Sequence, residues 1–145
     1  MRKLLFALAV ILFNVSCLSA EERVIDQSKL PANAQTFIST YYSSDKVAIA
    51  TEERDLFDKD YKVILTSGIK IEFDDKGNWT DVECKGNTEV PKDIVPDYVS
   101  QYVKANFPSN IIIQIDRDKK FVEVELNNKV ELKFNNKGVL VEFDN

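Results

Sequence analysis

The sequence predicts an α+β fold built as two tandem repeats, each one helix packed on a four-stranded antiparallel β-meander. Three observations predict it. Leu30-Pro31, with Phe37, Ile38 and Tyr42, is matched 65 residues later by Val95-Pro96 with Tyr102, Val103 and Phe107. The segment Ile69 to Gly77 is matched 61 residues later by Val130 to Gly138, the four-residue difference falling in the loop around Asp55 to Asp60. In both copies apolar residues recur first at helical spacing and then at every second position.

The first twenty residues read as a secretory signal. Arg2 and Lys3 precede an unbroken apolar run from Leu4 to Phe13, and small residues lead to Leu18-Ser19-Ala20 before Glu21-Glu22. A ten-residue run is half of the roughly 20 needed to cross a bilayer. Cleavage is expected near Ala20, giving a periplasmic or secreted protein. The alternative is lipidation at Cys17, which follows Val15-Ser16 and would anchor the chain to a membrane, although Asn14 stands where such sites carry an aliphatic residue.

Glu21 to Lys29 reads as a polar leader, and the first repeat spans residues 30–84. Its helix carries Ala34, Phe37, Ile38 and Tyr41 on one stripe, with Pro31 suited to the first turn. Val47 and Ile49 mark one face of a strand near residues 46–54. Tyr61, Val63 and Leu65 mark the next, Ile69, Ile71 and Phe73 the third, and Trp79 to Cys84 the fourth. Residues 85–94, with Gly86, Asn87 and Pro91 and no apolar period, read as a linker.

The second repeat spans residues 95–145. Val95, Tyr98, Val99, Tyr102 and Val103 form its helical stripe, and Pro108 ends it. Four strands follow, marked by Ile111, Ile113 and Ile115, by Val122, Val124 and Leu126, by Val130, Leu132 and Phe134, and by Val139 to Phe143. Ser67-Gly68, Asn127-Asn128, Asp74 to Gly77 and Asn135 to Gly138 are hairpin turns, with Gly77 and Gly138 at left-handed positions. Such short connections imply antiparallel pairing.

A helix opened by an apolar-Pro pair, followed by strands ending in an apolar-x-Phe-Asp-Asp-Lys-Gly hairpin, resembles the PepSY-like group. That group is also described as similar to the β-lactamase inhibitor protein fold and is common in secreted proteins of Bacteroidetes. The resemblance covers nearly all of residues 30–144. It implies a secreted or periplasmic binding or inhibitor-like module, and it brings no catalytic residues with it.

The chain has no histidine, which removes Ser-His-Asp and Cys-His mechanisms and the usual zinc sites. No glycine-rich loop precedes a helix, so no nucleotide cofactor is expected. Net charge is −5, and residues 1–20 hold two basic and no acidic side chains, so the remaining 125 residues carry −7. That charge repels phosphate backbones and argues against nucleic acid. Beyond residue 20 only Cys84 remains, too few for an internal disulfide, and it reads as a small buried hydrophobe. Asp55, Asp58 and Asp60, and Asp74-Asp75, do not follow the alternating-ligand calcium loop. Replacement of Asp74-Asp75 in the second copy by Asn135-Asn136 points to turn formation instead. No metal, cofactor or enzymatic activity is expected.

The expected role is a non-catalytic module that binds another protein or peptide through the sheet face turned away from the helices. Lys70, Glu72, Trp79, Glu131 and Lys133 are the candidate contact residues on it. Trp79 is offered as an aromatic anchor, but its counterpart Leu140 is equally compatible with a core position. The rival expectation is a structural or adaptor component of a surface assembly, anchored through Cys17.

Overall fold

The computed structural model describes residues 21–145; the expected signal sequence and Cys17 lie outside the described residues. Helices α1 (Ala32–Tyr41) and α2 (Asp97–Asn106) are accompanied by β1 (Glu21–Val24), β2 (Val47–Arg54), β3 (Lys59–Leu65), β4 (Lys70–Phe73) and β5 (Trp79–Glu83). The remaining strands are β6 (Ile112–Arg117), β7 (Phe121–Leu126), β8 (Glu131–Asn135) and β9 (Leu140–Asp144). All nine join one antiparallel sheet in the order of the chain.

The sheet is therefore continuous, where the sequence suggests two separate meanders side by side. The join is β5 against β6, with Asp81, Val82 and Glu83 opposite Asp116, Ile115 and Gln114. Pairing these strands buries Val82 and Ile115 completely and satisfies backbone groups that an isolated edge would leave to water.

The leader is a second departure. Glu21–Val24 forms an edge strand on β2, and Gln27–Lys29 forms a 3-10 turn capped by Asp26 Oδ1 accepting from Ser28 N at 2.8 Å. Beside β2, β1 takes the place that β5 takes beside β6. The linker is anchored too. Val90 is buried, its N–H donates to Ile112 O at 3.0 Å, and Lys92–Ile94 forms a 3-10 turn ahead of α2.

Both helices lie on the same side. Phe37 meets Phe73 edge-on at 5.8 Å, while Tyr102 meets Phe134 at 5.4 Å. The predicted stripes supply the contacts: Ala34, Phe37 and Ile38 are buried from α1, and Val99 and Val103 from α2. Pro31 and Pro96 sit one residue earlier than a first-turn position, as N-caps in extended backbone. The strand alternation puts Val63, Leu65, Ile71, Phe73, Val124, Leu126, Leu132 and Phe134 into the same core.

β-Bulges shift two of the predicted faces. Ala48 is an extra residue in β2 opposite β3, so Val47 faces the helices while Ile49 turns to the other side and is exposed. Ile113 is the extra residue in β6, which brings Ile112 rather than Ile111 or Ile113 into the core. A second pair of bulges falls at Thr80 in β5 and Val141 in β9.

The hairpin turns follow residue chemistry. Gly77 and Gly138 take positive φ, and Asp74 and Asn135 accept from the backbone N–H groups of their own turns. At the β7–β8 turn the left-handed residue is Lys129, φ 74°, rather than Asn127 or Asn128. Asn127 Oδ1 instead accepts from Asn110 Nδ2 at 2.8 Å.

Candidate functional site

Neither helix packs on the far face of the sheet, and the strand registers define what that face presents. Lys62 lies opposite Glu72, Glu72 opposite Asp81, Asp81 opposite Asp116, Asp116 opposite Glu123, Glu123 opposite Lys133 and Lys133 opposite Glu142. One rung of ionisable side chains thus crosses seven strands. The next rung holds Ile64, Lys70, Glu83, Gln114, Glu125, Glu131 and Asp144.

Four of the candidate residues belong to this face. Lys70 Nζ lies 3.2 Å from Glu83 Oε2, and Glu72 Oε1 lies 3.7 Å from Lys62 Nζ. Lys133 Nζ bridges Glu123 at 3.4 Å and Glu142 at 3.5 Å. Glu131 is exposed, opposite Glu125 on one side and Asp144 on the other.

Trp79 does not belong with them. It is opposite Phe73 on the helix side, 9% exposed, with Phe37 at 6.4 Å and the Arg117 guanidinium over its ring. Burial of a large apolar ring under α1 is its role, as the Leu140 correspondence allowed. Tyr61 is likewise in the core, while Phe57 is 93% exposed at the tip of the β2–β3 loop.

The middle of the first rung was not legible in the sequence. Glu72, Asp81, Asp116 and Glu123 occupy adjacent strands, where directly opposed side chains stand roughly 5 Å apart and like charges destabilise the pair. Burial pushes the Asp81 carboxyl up to about 6, reinforced by the charges of Glu72, Asp116 and Glu83 and opposed by a hydrogen bond from Gln114. Gln114 Nε2 donates to Asp81 Oδ1 at 3.1 Å. Burial also raises Asp116, with Glu123, Asp118 and Glu72 acting in the same direction. Alternation identifies Glu72 and Glu123 as outward-facing. It does not say that β5 and β6 are neighbours.

Charge on the helix side is arranged differently. Glu52, 4% exposed, receives Arg23 Nη2 and Arg54 Nε at 2.8 Å and lies 2.8 Å from Lys59 Nζ. The Lys59 hydrogen bond leads in holding this carboxyl down to about 2 against the opposing effect of burial. Three cations around one carboxylate satisfy it, and the cluster ties β1, β2 and β3 together. Cys84 is buried, and loss of solvent raises its thiol pKa. Among the described residues no group of three or more Asp, Glu or Cys side chains converges to hold a metal ion, and no helix is long and apolar enough to cross a membrane.

A family described as β-lactamase-inhibitor-like, PepSY-like matches residues 59–142, more than half of the chain. The chain belongs to the PepSY-like family. Among solved structures, a periplasmic protein of the DUF2874 family from Bacteroides vulgatus is 45% identical, with a TM-score of 0.82 over 86% of this chain and 98% of that one. A protein of Bacteroides thetaiotaomicron described as a calcium-regulated periplasmic protein is also 45% identical, with a TM-score of 0.81 over 86% and 97% of the two chains. A second Bacteroides vulgatus protein, described as periplasmic and of unknown function, is 35% identical at a TM-score of 0.81, covering 86% of this chain and all of the other. No curated protein matches. Membership of a PepSY-like family with periplasmic relatives supports a periplasmic location. It fits an α+β chain whose two described helices lie on one face of the sheet.

Proposed function

We propose that the chain is an exported, non-catalytic binding module that takes a protein or peptide partner on the sheet face opposite the helices. The observation that carries this reading is the run of four carboxylates Glu72-Asp81-Asp116-Glu123 on the face opposite both described helices. Glu72 and Glu123 pair with Lys62 and Lys133, while Asp81 and Asp116 face each other without a cation. Opposed like charges cost stability, and a basic partner would relieve that cost on binding. Lys70, Glu131 and Lys133 flank the rung and, with Glu72 within it, would set which partner is accepted.

The same reading treats the two halves as duplicated units. Bulges at Ala48 and Ile113 lie 65 residues apart, and those at Thr80 and Val141 lie 61 apart. These are the two offsets at which the sequence repeats. The 3-10 turns at Gln27–Lys29 and Lys92–Ile94 also keep the first offset. Cleavage near Ala20 would release the module into the periplasm.

The test is crosslinked capture of envelope proteins by the purified domain and by a variant combining Lys70→Glu, Glu72→Lys, Glu131→Lys and Lys133→Glu. A partner held by the parent and lost by the variant supports the face. A partner held equally by both discards the site and leaves the binding role. Intact mass of the exported protein separates release from anchoring, because acylation at Cys17 cannot coexist with cleavage at Ala20.

A second reading carries over the calcium regulation attributed to the 45%-identical Bacteroides thetaiotaomicron protein. With no metal cage among the described residues, calcium would act by direct, weak ligation to neighbouring carboxylates of the rung. Calcium should then strengthen folding more than magnesium at equal ionic strength. Equal responses reduce the effect to ionic screening and remove this reading.

A further inference from the structure

The two edges of the sheet are built differently. At one end, β1 is four residues long, three of them charged, and Arg23 is committed to Glu52. A short charged strand of this kind discourages pairing with another chain. At the other end, β9 runs from Leu140 to Asp144 and pairs only with β8 among the described residues. Of the seven exposed large apolar side chains among the described residues, Val139, Val141 and Phe143 lie on or beside β9.

The side chains of β9 separate by chemistry. Phe143 lies opposite the core residue Leu132, on the helix side, yet remains 52% exposed. Leu140, opposite Phe134, is partly buried against the core. The rings of Tyr98 and Tyr102 reach Phe134 on β8, one strand short of Phe143. On the outer face the edge presents Glu142 and Asp144, backed on β8 by Glu131 and by a single cation, Lys133, already shared between Glu123 and Glu142. Alternate N–H and C=O groups of an antiparallel edge strand point away from its one neighbour.

We propose that β9 is a docking edge for an extended peptide in which basic and apolar residues alternate, added as a tenth strand. Its basic side chains stand beside Glu142 and Asp144, and its apolar side chains continue the core beyond Phe143. The backbone supplies affinity and the alternation supplies selectivity, as in other strand additions. A second copy of this chain is the poorer occupant. Pairing β9 with itself about a two-fold axis brings two Glu142 and two Asp144 side chains to one face with no added cation. The site shares Glu131 and Lys133 with the face proposed above but does not use Glu72, Asp81, Asp116 or Glu123, so a response confined to either set distinguishes the two.

The experiment uses the chain from Glu21 onward, with an octapeptide of alternating lysine and valine as probe and one of alternating glutamate and valine as control. Amide exchange and chemical shifts are followed by NMR. The lysine peptide should slow exchange at β9 amides and shift Val141 and Phe143, leaving β1 unchanged. Glu142→Lys with Asp144→Lys should weaken it about tenfold and confer binding of the glutamate peptide. Equal binding of both peptides by the parent chain overturns the proposal. So does a response confined to Glu72, Asp81, Asp116 and Glu123, or sedimentation showing a dimer that protects β9 without peptide.

Discussion

The guanidinium carbon of Arg117 lies 3.7 Å from the centroid of the Trp79 ring, and Arg117 Nε donates to the Trp79 carbonyl at 3.0 Å. One residue belongs to β6 and the other to β5, so this pair clamps the strands through which the two halves of the sheet meet. The contact combines a half-buried cation–π pair with a backbone hydrogen bond.

Arg117→Ala should therefore cost about 1–2 kcal/mol in urea unfolding. Trp79 is the chain's one tryptophan, so its emission should shift to the red in the folded variant. Arg117→Lys should keep part of the cation–π energy and lose the fixed hydrogen bond. No loss of stability in either variant would mean that the halves are held by the β5–β6 ladder and its core alone.

Gly77 and Gly138 share a positive φ but not the same surroundings. A Cβ on Gly77 would stand 2.7 Å from Pro31 Cβ and 2.8 Å from the Ala34 backbone nitrogen, at the start of α1. On Gly138 the nearest atom would be Tyr98 Cγ at 3.1 Å, on a side chain that can move. Gly77→Ala should cost about 2–4 kcal/mol and Gly138→Ala about 1–2 kcal/mol. The ordering of the two unfolding midpoints is the check.

Lys129 holds φ 74° where the equivalent turn of the first half has Gly68. A side chain in that region costs roughly 1–2 kcal/mol. Lys129→Gly should raise stability by about 1 kcal/mol, reduced slightly by loss of the exposed 3.1 Å contact with Glu125. A thermal midpoint that stays put or falls would contradict this.

Asp81 and Glu52 give opposite pH dependences. The folded Asp81 carboxyl titrates near 6 against an ordinary 3.8, so between those values the folded state keeps a proton that the unfolded state releases. Its effect is to lower stability as pH rises through that window. Asp81→Asn should flatten the decline and leave the protein more stable near neutrality. Glu52, held near 2 against an ordinary 4.5, contributes stability above 4.5 that is lost as pH falls through about 2. Urea midpoints measured across this range, for the parent and for Asp81→Asn, read both effects. A parallel slope in the variant would remove Asp81 as the cause.

The periodicities and turn residues by themselves determined both helices, eight of the nine strands, the Gly77 and Gly138 turns and the outward position of Lys70, Glu72, Glu131 and Lys133. Each follows from local physics: three-and-four spacing makes a stripe, alternation makes two faces, and an Asx-Gly pair closes a hairpin. Tertiary structure decided the rest. Glu21–Val24 is a strand because β2 has an open edge to fill, not because its residues favour one. Ile49 and Ile112 changed faces because a single bulged residue reverses the alternation. Trp79 went to the core because α1 and Arg117 cover it. The carboxylate rung exists because β5 pairs with β6 across a connection containing α2. Side-chain period fixes the face a residue looks toward only between bulges; the packed sheet fixes where the bulges fall and which residue stands beside it.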